Sequence, residues 1–194
     1  PNEINIENFP FVSAKNLTLN LSGGKKIDVW AARISYVGES GWEIYLNNDS
    51  DDGLALYDSL LEVGVVPVGI ETYANSRRLE KSFRLQGADL ETEYNAIEAA
   101  IQRPLVKEAD FHGKAAHLSQ REEDPCAVLC TMTLDDLNVS GKTRYPVGIS
   151  PIVDPATGEV PIDSKGRRSY TTGMSYCPSI KKFVVMGYLP KEIA

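Results

Sequence analysis

Tyr36 and Glu43 are the two residues of this chain whose types and spacing could do chemistry. They lie within residues 36–44, YVGESGWEI, between two runs of strand-forming residues. Residues 27–36 are rich in β-branched and aromatic side chains, and residues 42–46 alternate apolar with polar, so both read as strands. A hairpin closing over Gly38-Glu39-Ser40-Gly41, by a two- or a four-residue loop, sets Val37 opposite Trp42 and Tyr36 opposite Glu43. Tyr36 and Glu43 then share one sheet face, while Trp42, Ile44 and Leu46 point to the other. A carboxylate beside an aromatic ring suits a flat heterocycle with an amino-pyrimidine edge, a pterin or a guanine. Its oxygens accept N–H bonds, and the ring supplies stacking area. The spacing fits a plainer arrangement equally, with Glu43 on a solvated face and Tyr36 only packing.

The elements around this hairpin predict an α+β layer. The first dozen residues are polar and irregular, and residues 17–21 form a short strand closed by Ser22-Gly23-Gly24. Residues 48–52 offer N-cap candidates, including Asn48, ahead of an apolar stripe of Leu54, Tyr57, Leu60 and Leu61 that Gly64 stops. Residues 65–70 read as a brief apolar strand and residues 71–82 as a second helix, so helices cover one face of a mainly antiparallel sheet. A third helix opens at Asp110 as N-cap, runs through Lys114 and Leu118, and fades by Glu123. Beyond it come short β-rich runs at residues 126–134, 145–153, 169–174 and 183–189, split by Gly/Pro/Asp-rich turns, the pattern of a small β-barrel or sandwich. The expected boundary therefore falls near Glu123, with one domain over residues 1–123 and another over 124–194.

Composition narrows the function classes. The 194 residues are 42% hydrophobic and 24% charged, enough for a sizeable core in one or two domains. The formal charge of −7 argues against non-specific nucleic-acid binding, which needs basic patches. No run of about eighteen apolar residues marks a membrane span. Three cysteines, Cys126, Cys130 and Cys177, fit reduced thiols better than a disulfide frame. The expected compartment is the cytoplasm, or the mitochondrial matrix in a eukaryote. His112 and His117, five apart, fall on different helix faces and complete no zinc set. Ser40 lacks a nucleophile-elbow setting, and neither a P-loop nor a dinucleotide fingerprint is present. The sequons at Asn16, Asn20, Asn48 and Asn138 read as chance matches.

Several stretches, in order, carry a resemblance. They are YVGESGWEI, RRLEKSFRLQGADL (residues 77–90), NAIEAAI (95–101), ADFHGKAAHL (109–118) and VVMGYLP (184–190). From about Asn8 onward the chain resembles the later part of the glycine-cleavage T-protein superfamily, the folate-dependent aminomethyltransferases. The Arg-Leu-Glu-Lys wording is closest to the folate module of dimethylglycine and sarcosine dehydrogenases. The resemblance implies a tetrahydrofolate-binding one-carbon transfer module handling the methyl-derived carbon of a methylated glycine. It places the family's hairpin tyrosine on Tyr36 and its pterin-holding glutamate on Glu43. Ala96 stands where a proline is common, and Ala74 where T-proteins carry a folate-binding arginine.

The resemblance further implies that the family's catalytic aspartate belongs to an earlier segment, so no catalytic residue is assigned and the chain alone is expected to turn over little or nothing. Its partners would be folate, a small methylated amine and the remainder of a longer polypeptide that could carry a flavin domain. An anionic folate tail would need a local positive site. Arg77, Arg78, Lys81 and Arg84, at helical spacing, are candidates, and equally a solvated helix face paired with Glu71 and Glu80. A folate-dependent O- or S-demethylase of the same fold, and a non-catalytic folate-responsive scaffold, are the competing functions.

Overall fold

Residues 17–20 and 26–29 alternate apolar with polar, which drives the first sheet. The computed structural model describes residues 4–47, 51–102, 104–135 and 148–194. Strands β1 (Ser13–Asn20) and β2 (Lys26–Arg33) pair antiparallel along their whole length, with Leu17 opposite Val29 and Leu19 opposite Ile27. A short third strand, β3 (Glu43–Tyr45), pairs with the far edge of β2, giving the order β1-β2-β3. Ile27, Val29 and Ala31 are buried on one face, and Lys26, Asp28 and Trp30 are exposed on the other.

Helix α1 (Asp52–Glu62) covers part of the apolar face, with Ala55 and Leu56 packed on the cluster of Leu21, Ile27 and Val29. The expected stripe is therefore corrected, since Leu54, Tyr57 and Leu61 are exposed. The face that docks carries Ala55, Leu56 and Ser59 instead, and the Ser59 hydroxyl accepts the Ser22 N–H at 3.1 Å. Gly64, at φ 88°, ends the helix as expected. Asn48 and Asn138 lie outside the described residues. Residues 65–70 form no strand. Val65, Val66, Val68 and Ile70 are exposed, and among the described residues no neighbour supplies the backbone partners a strand needs.

The chain divides into two compact units, residues 1–73 and 74–194. The boundary expected near Glu123 lies inside the second. The helix expected over residues 71–82 forms as wide π-helical turns over Glu71–Arg77, followed by the short α2 (Arg78–Glu80). Helix α3 (Lys114–Glu122) starts after Gly113 rather than at Asp110, because Gly113 takes a left-handed φ of 85° that only then delivers the chain into the helix.

Strands β4 (Ala127–Leu134), β5 (Tyr170–Cys177) and β6 (Lys182–Pro190) form an antiparallel sheet in the order β4-β6-β5. Three of the four expected β-rich runs are thus strands. Of the fourth, residues 148–153 contribute an isolated bridge between Pro151 and Tyr170. The core of this unit gathers Leu79, Tyr94, Leu129, Val184, Met186 and Tyr188. The molecule is therefore mixed α and β with antiparallel sheets, as expected, and its described strands make two open three-stranded sheets. Among the described residues, no helix is long and apolar enough to cross a membrane.

Candidate functional site

Glu43 opens β3 opposite Ala32, and Tyr45 lies opposite Trp30. Residues paired across an antiparallel ladder share a face, so Glu43, Tyr45 and Trp30 project together on the side away from α1. The Tyr45 hydroxyl donates a short hydrogen bond to Glu43 Oε2. That bond is the main reason the Tyr45 hydroxyl titrates above its ordinary range. The Trp30 and Tyr45 rings meet at 5.0 Å between centroids, tilted by 57°. Beside them runs a groove of about 440 Å³ lined by Asn16, Thr18, Asp28, Trp30, Tyr45 and Asn47. The Thr18 hydroxyl donates to Asp28 Oδ1 at 2.6 Å.

Tyr36 does not stand opposite Glu43. The ladder runs Trp30 to Tyr45 and Ala32 to Glu43, four residues out of the expected register, and β2 ends at Arg33. The Ser35 hydroxyl explains the difference. It accepts the backbone N–H groups of Val37 at 3.2 Å and Glu39 at 3.1 Å. Those donors are thereby drawn away from a ladder and into a turn that Gly38 completes at φ 70°. Tyr36 thus belongs to a long connection, half-buried, with its ring 6.0 Å from that of Tyr73.

The expected alternation around Glu43 holds. Ile44 pairs with Ala31 on the apolar face and, with Ile4, Leu17, Leu19, Val29 and Trp42, lines a hollow of about 160 Å³. Trp42 also carries the Arg33 guanidinium 5.2 Å over its ring. Among the described residues, Tyr45 is the one partner of the Glu43 carboxylate, which therefore retains acceptor capacity.

The four cations proposed for an anionic tail do not form one free face. Arg78 is fully buried and donates to the carbonyls of Ala74 at 2.7 Å and Phe83 at 3.0 Å and to Asp89. Arg84 donates to the carbonyls of Ala99 and Ser82, and Arg77 reaches Glu80 at 3.2 Å and Ser179 at 2.9 Å. Burial would raise the Glu80 carboxyl, but bonds from Ser179 and the charge of Arg77 bring it below the usual range.

Sequence reasoning missed a second ionic centre. Glu98 is 1% exposed and takes Arg167 at 2.5 Å, while Arg167 also reaches Asp163 at 2.7 Å and lies 4.2 Å over the Tyr94 ring. The signal was one acidic residue among the apolar ones of NAIEAAI. This centre is structural. Among the described residues, no group of His, Cys, Asp and Glu could hold a metal ion, and all three cysteines are free.

The model of the GCVT N-terminal domain matches residues 1–108. The chain belongs to this family. Curated relatives of this GCVT-family chain include the mitochondrial dimethylglycine dehydrogenase of Homo sapiens, 32% identical over 201 residues that cover 96% of the chain and 20% of that protein. An aminomethyltransferase of Koribacter versatilis is 31% identical over 173 residues, 85% of the chain and 41% of the relative. The crystal structure of the glycine cleavage system aminomethyltransferase T from Bartonella henselae superposes with a TM-score of 0.60 at 26% identity. That match covers 84% of this chain and 42% of the other. The chain thus spans about a fifth of the dehydrogenase and about two fifths of the aminomethyltransferases. The expected membership of the aminomethyltransferase family is thereby shown.

Proposed function

We propose that this chain is part of a tetrahydrofolate-dependent one-carbon transfer module, with Glu43 accepting the N–H edge of the pterin and Tyr36 contributing aromatic surface near it. The observation that carries the reading is Glu43, a half-buried carboxylate with acceptor capacity to spare, flanked by aromatic rings on an open sheet face. A carboxylate acceptor beside aromatic rings fits the pterin end of the cofactor, which presents N–H groups to an anion and a flat ring to aromatic side chains. Tetrahydrofolate, when bound, supplies the nitrogen that accepts the one-carbon unit. The chain's own residues bind and orient it.

Family membership supports the transferase class, and the relatives named dimethylglycine dehydrogenase favour a methylated glycine, dimethylglycine or sarcosine, as the carbon source. Residues 1–123 are read as the later part of the folate-binding domain, and residues 124–194, with β4, β5 and β6, as part of the family's C-terminal β-barrel. Ala74, in the place of the T-protein arginine, leaves the cofactor without that contact.

Calorimetric titration of 5-formyltetrahydrofolate into this chain, and into a longer protein that contains it, tests the reading. Glu43→Ala in the longer protein should weaken binding at least tenfold, in line with about 1.5–3 kcal/mol for a bond to a charged group. Unchanged affinity would remove Glu43 from the site, and no binding by either protein would leave a shared fold without the shared cofactor.

A further inference from the structure

We infer that Tyr45 is a positioning residue for Glu43, its hydroxyl holding the carboxylate in the orientation in which the remaining oxygen meets the ligand's N–H groups. The inference rests on the reading of Glu43 as the pterin acceptor and adds to it a residue and a geometry. Three observations carry it. First, the β2–β3 register places Glu43 and Tyr45 two residues apart on one face of β3, with Trp30 directly opposite Tyr45. Second, the Tyr45 hydroxyl donates to Oε2 of Glu43, leaving Oε1 unbonded among the described residues. Third, the Trp30 ring lies 5.0 Å from the Tyr45 ring, so the donor is itself held by a packed neighbour.

A glutamate side chain has three rotatable bonds, and freezing them on ligand binding costs affinity. A donor already fixed on the sheet removes much of that cost in advance. Tyr45 is 48% exposed, so its hydroxyl contributes little to the core, and Phe at that position keeps the contact with Trp30. The same bond explains why the Tyr45 hydroxyl loses its proton only above its ordinary range. The structure also corrects which tyrosine partners the glutamate. Tyr36, assigned beside Glu43 by sequence, packs on Tyr73, and Tyr45 takes that place.

A double-mutant cycle in the longer protein, titrated with 5-formyltetrahydrofolate, tests this. Tyr45→Phe should weaken binding about three- to tenfold, the ordinary range for one lost hydrogen bond. In the Glu43→Ala background the same change should do nothing further, because the two residues act as a unit. Losses that simply multiply, or a Tyr45→Phe affinity unchanged or tighter than wild type, would overturn the positioning role while leaving Glu43 in the site. Glu43→Ala without effect would remove the parent reading and this one together.

The second readout is spectroscopic and needs no ligand. The alkaline absorbance titration of this chain minus that of Tyr45→Phe isolates Tyr45, whose midpoint should fall when Glu43 is changed to Ala. A midpoint that Glu43→Ala does not move would show that the bond is not made in solution.

Discussion

The Arg78 guanidinium and the Asp89 carboxylate form an ion pair inside the second unit, with 1% and 0% of their side chains exposed. Asp89 is bonded on every side. It accepts the Leu85 N–H at 2.8 Å and the Thr172 hydroxyl, and its carbonyl takes the Tyr188 hydroxyl at 2.7 Å. One change therefore leaves a buried charge unpaired, and Arg78→Met or Asp89→Ala should each cost about 3–5 kcal/mol. Urea unfolding of the two single variants and the Arg78→Met/Asp89→Ala pair checks this. The pair should be less destabilised than the sum of the singles.

Acid should loosen the same unit through Glu98 and Asp163. Burial raises each carboxyl, but the Arg167 bonds, helped by backbone N–H groups, outweigh it and hold both below their usual values. A depressed folded pKa contributes stability that is complete above the unfolded value, about 4, and is lost as pH falls through the folded one. Unfolding free energy measured from pH 6 to pH 2 should therefore drop below about pH 4, and Glu98→Gln should flatten that drop. An unchanged acid limb in Glu98→Gln would remove Glu98 from the linkage.

Gly187 marks a place with no room for a side chain. A Cβ there would sit 2.7 Å from the Tyr170 carbonyl oxygen and 2.8 Å from Ile152 Cδ1. The carbonyl belongs to the paired strand β5 and cannot swing away. Gly187→Ala should cost about 1–3 kcal/mol by overpacking, measured as a lower melting temperature. Gly158→Ala offers no such contact, though its positive φ adds some strain of its own.

Cysteine labelling should follow burial. Cys177 is fully buried, and that burial, more than the nearby Glu80 charge, pushes its thiol up to about 11. Cys126 and Cys130 are only partly buried. Iodoacetamide at pH 8 should modify Cys177 last, and only at the rate of unfolding. Early carboxymethylation of Cys177, read by mass spectrometry of peptides, would contradict the packing described.

Short-range patterning was legible where one side of an element is apolar. The β-branched and aromatic content of residues 27–36 announced β2, and the β-rich run at residues 183–189 announced β6, because such side chains suit a pleated, packed surface. The apolar run at residues 65–70 looked the same locally and formed no strand, since strand propensity without a partner's backbone is insufficient. In α1 the expected stripe of Leu54, Tyr57, Leu60 and Leu61 drew attention away from Ala55 and Leu56, which pack on the sheet, and from Ser59, which bonds Ser22. Arg78 read as one more surface cation, because no local pattern separates a buried arginine from an exposed one when its carboxylate lies eleven residues away.

The sequence by itself determined the family and the mixed α and β class with antiparallel sheets, and it singled out Glu43 as a candidate. Ordered motifs and residue periodicity carry that information locally. Tertiary structure decided which tyrosine serves Glu43. The register of β3 on β2 depends on where β2 stops, and the Ser35 hydroxyl stops it by capturing the N–H groups of Val37 and Glu39. A four-residue shift keeps every apolar side chain on its own face. Patterning therefore could not distinguish the two registers, and the partner changed from Tyr36 to Tyr45.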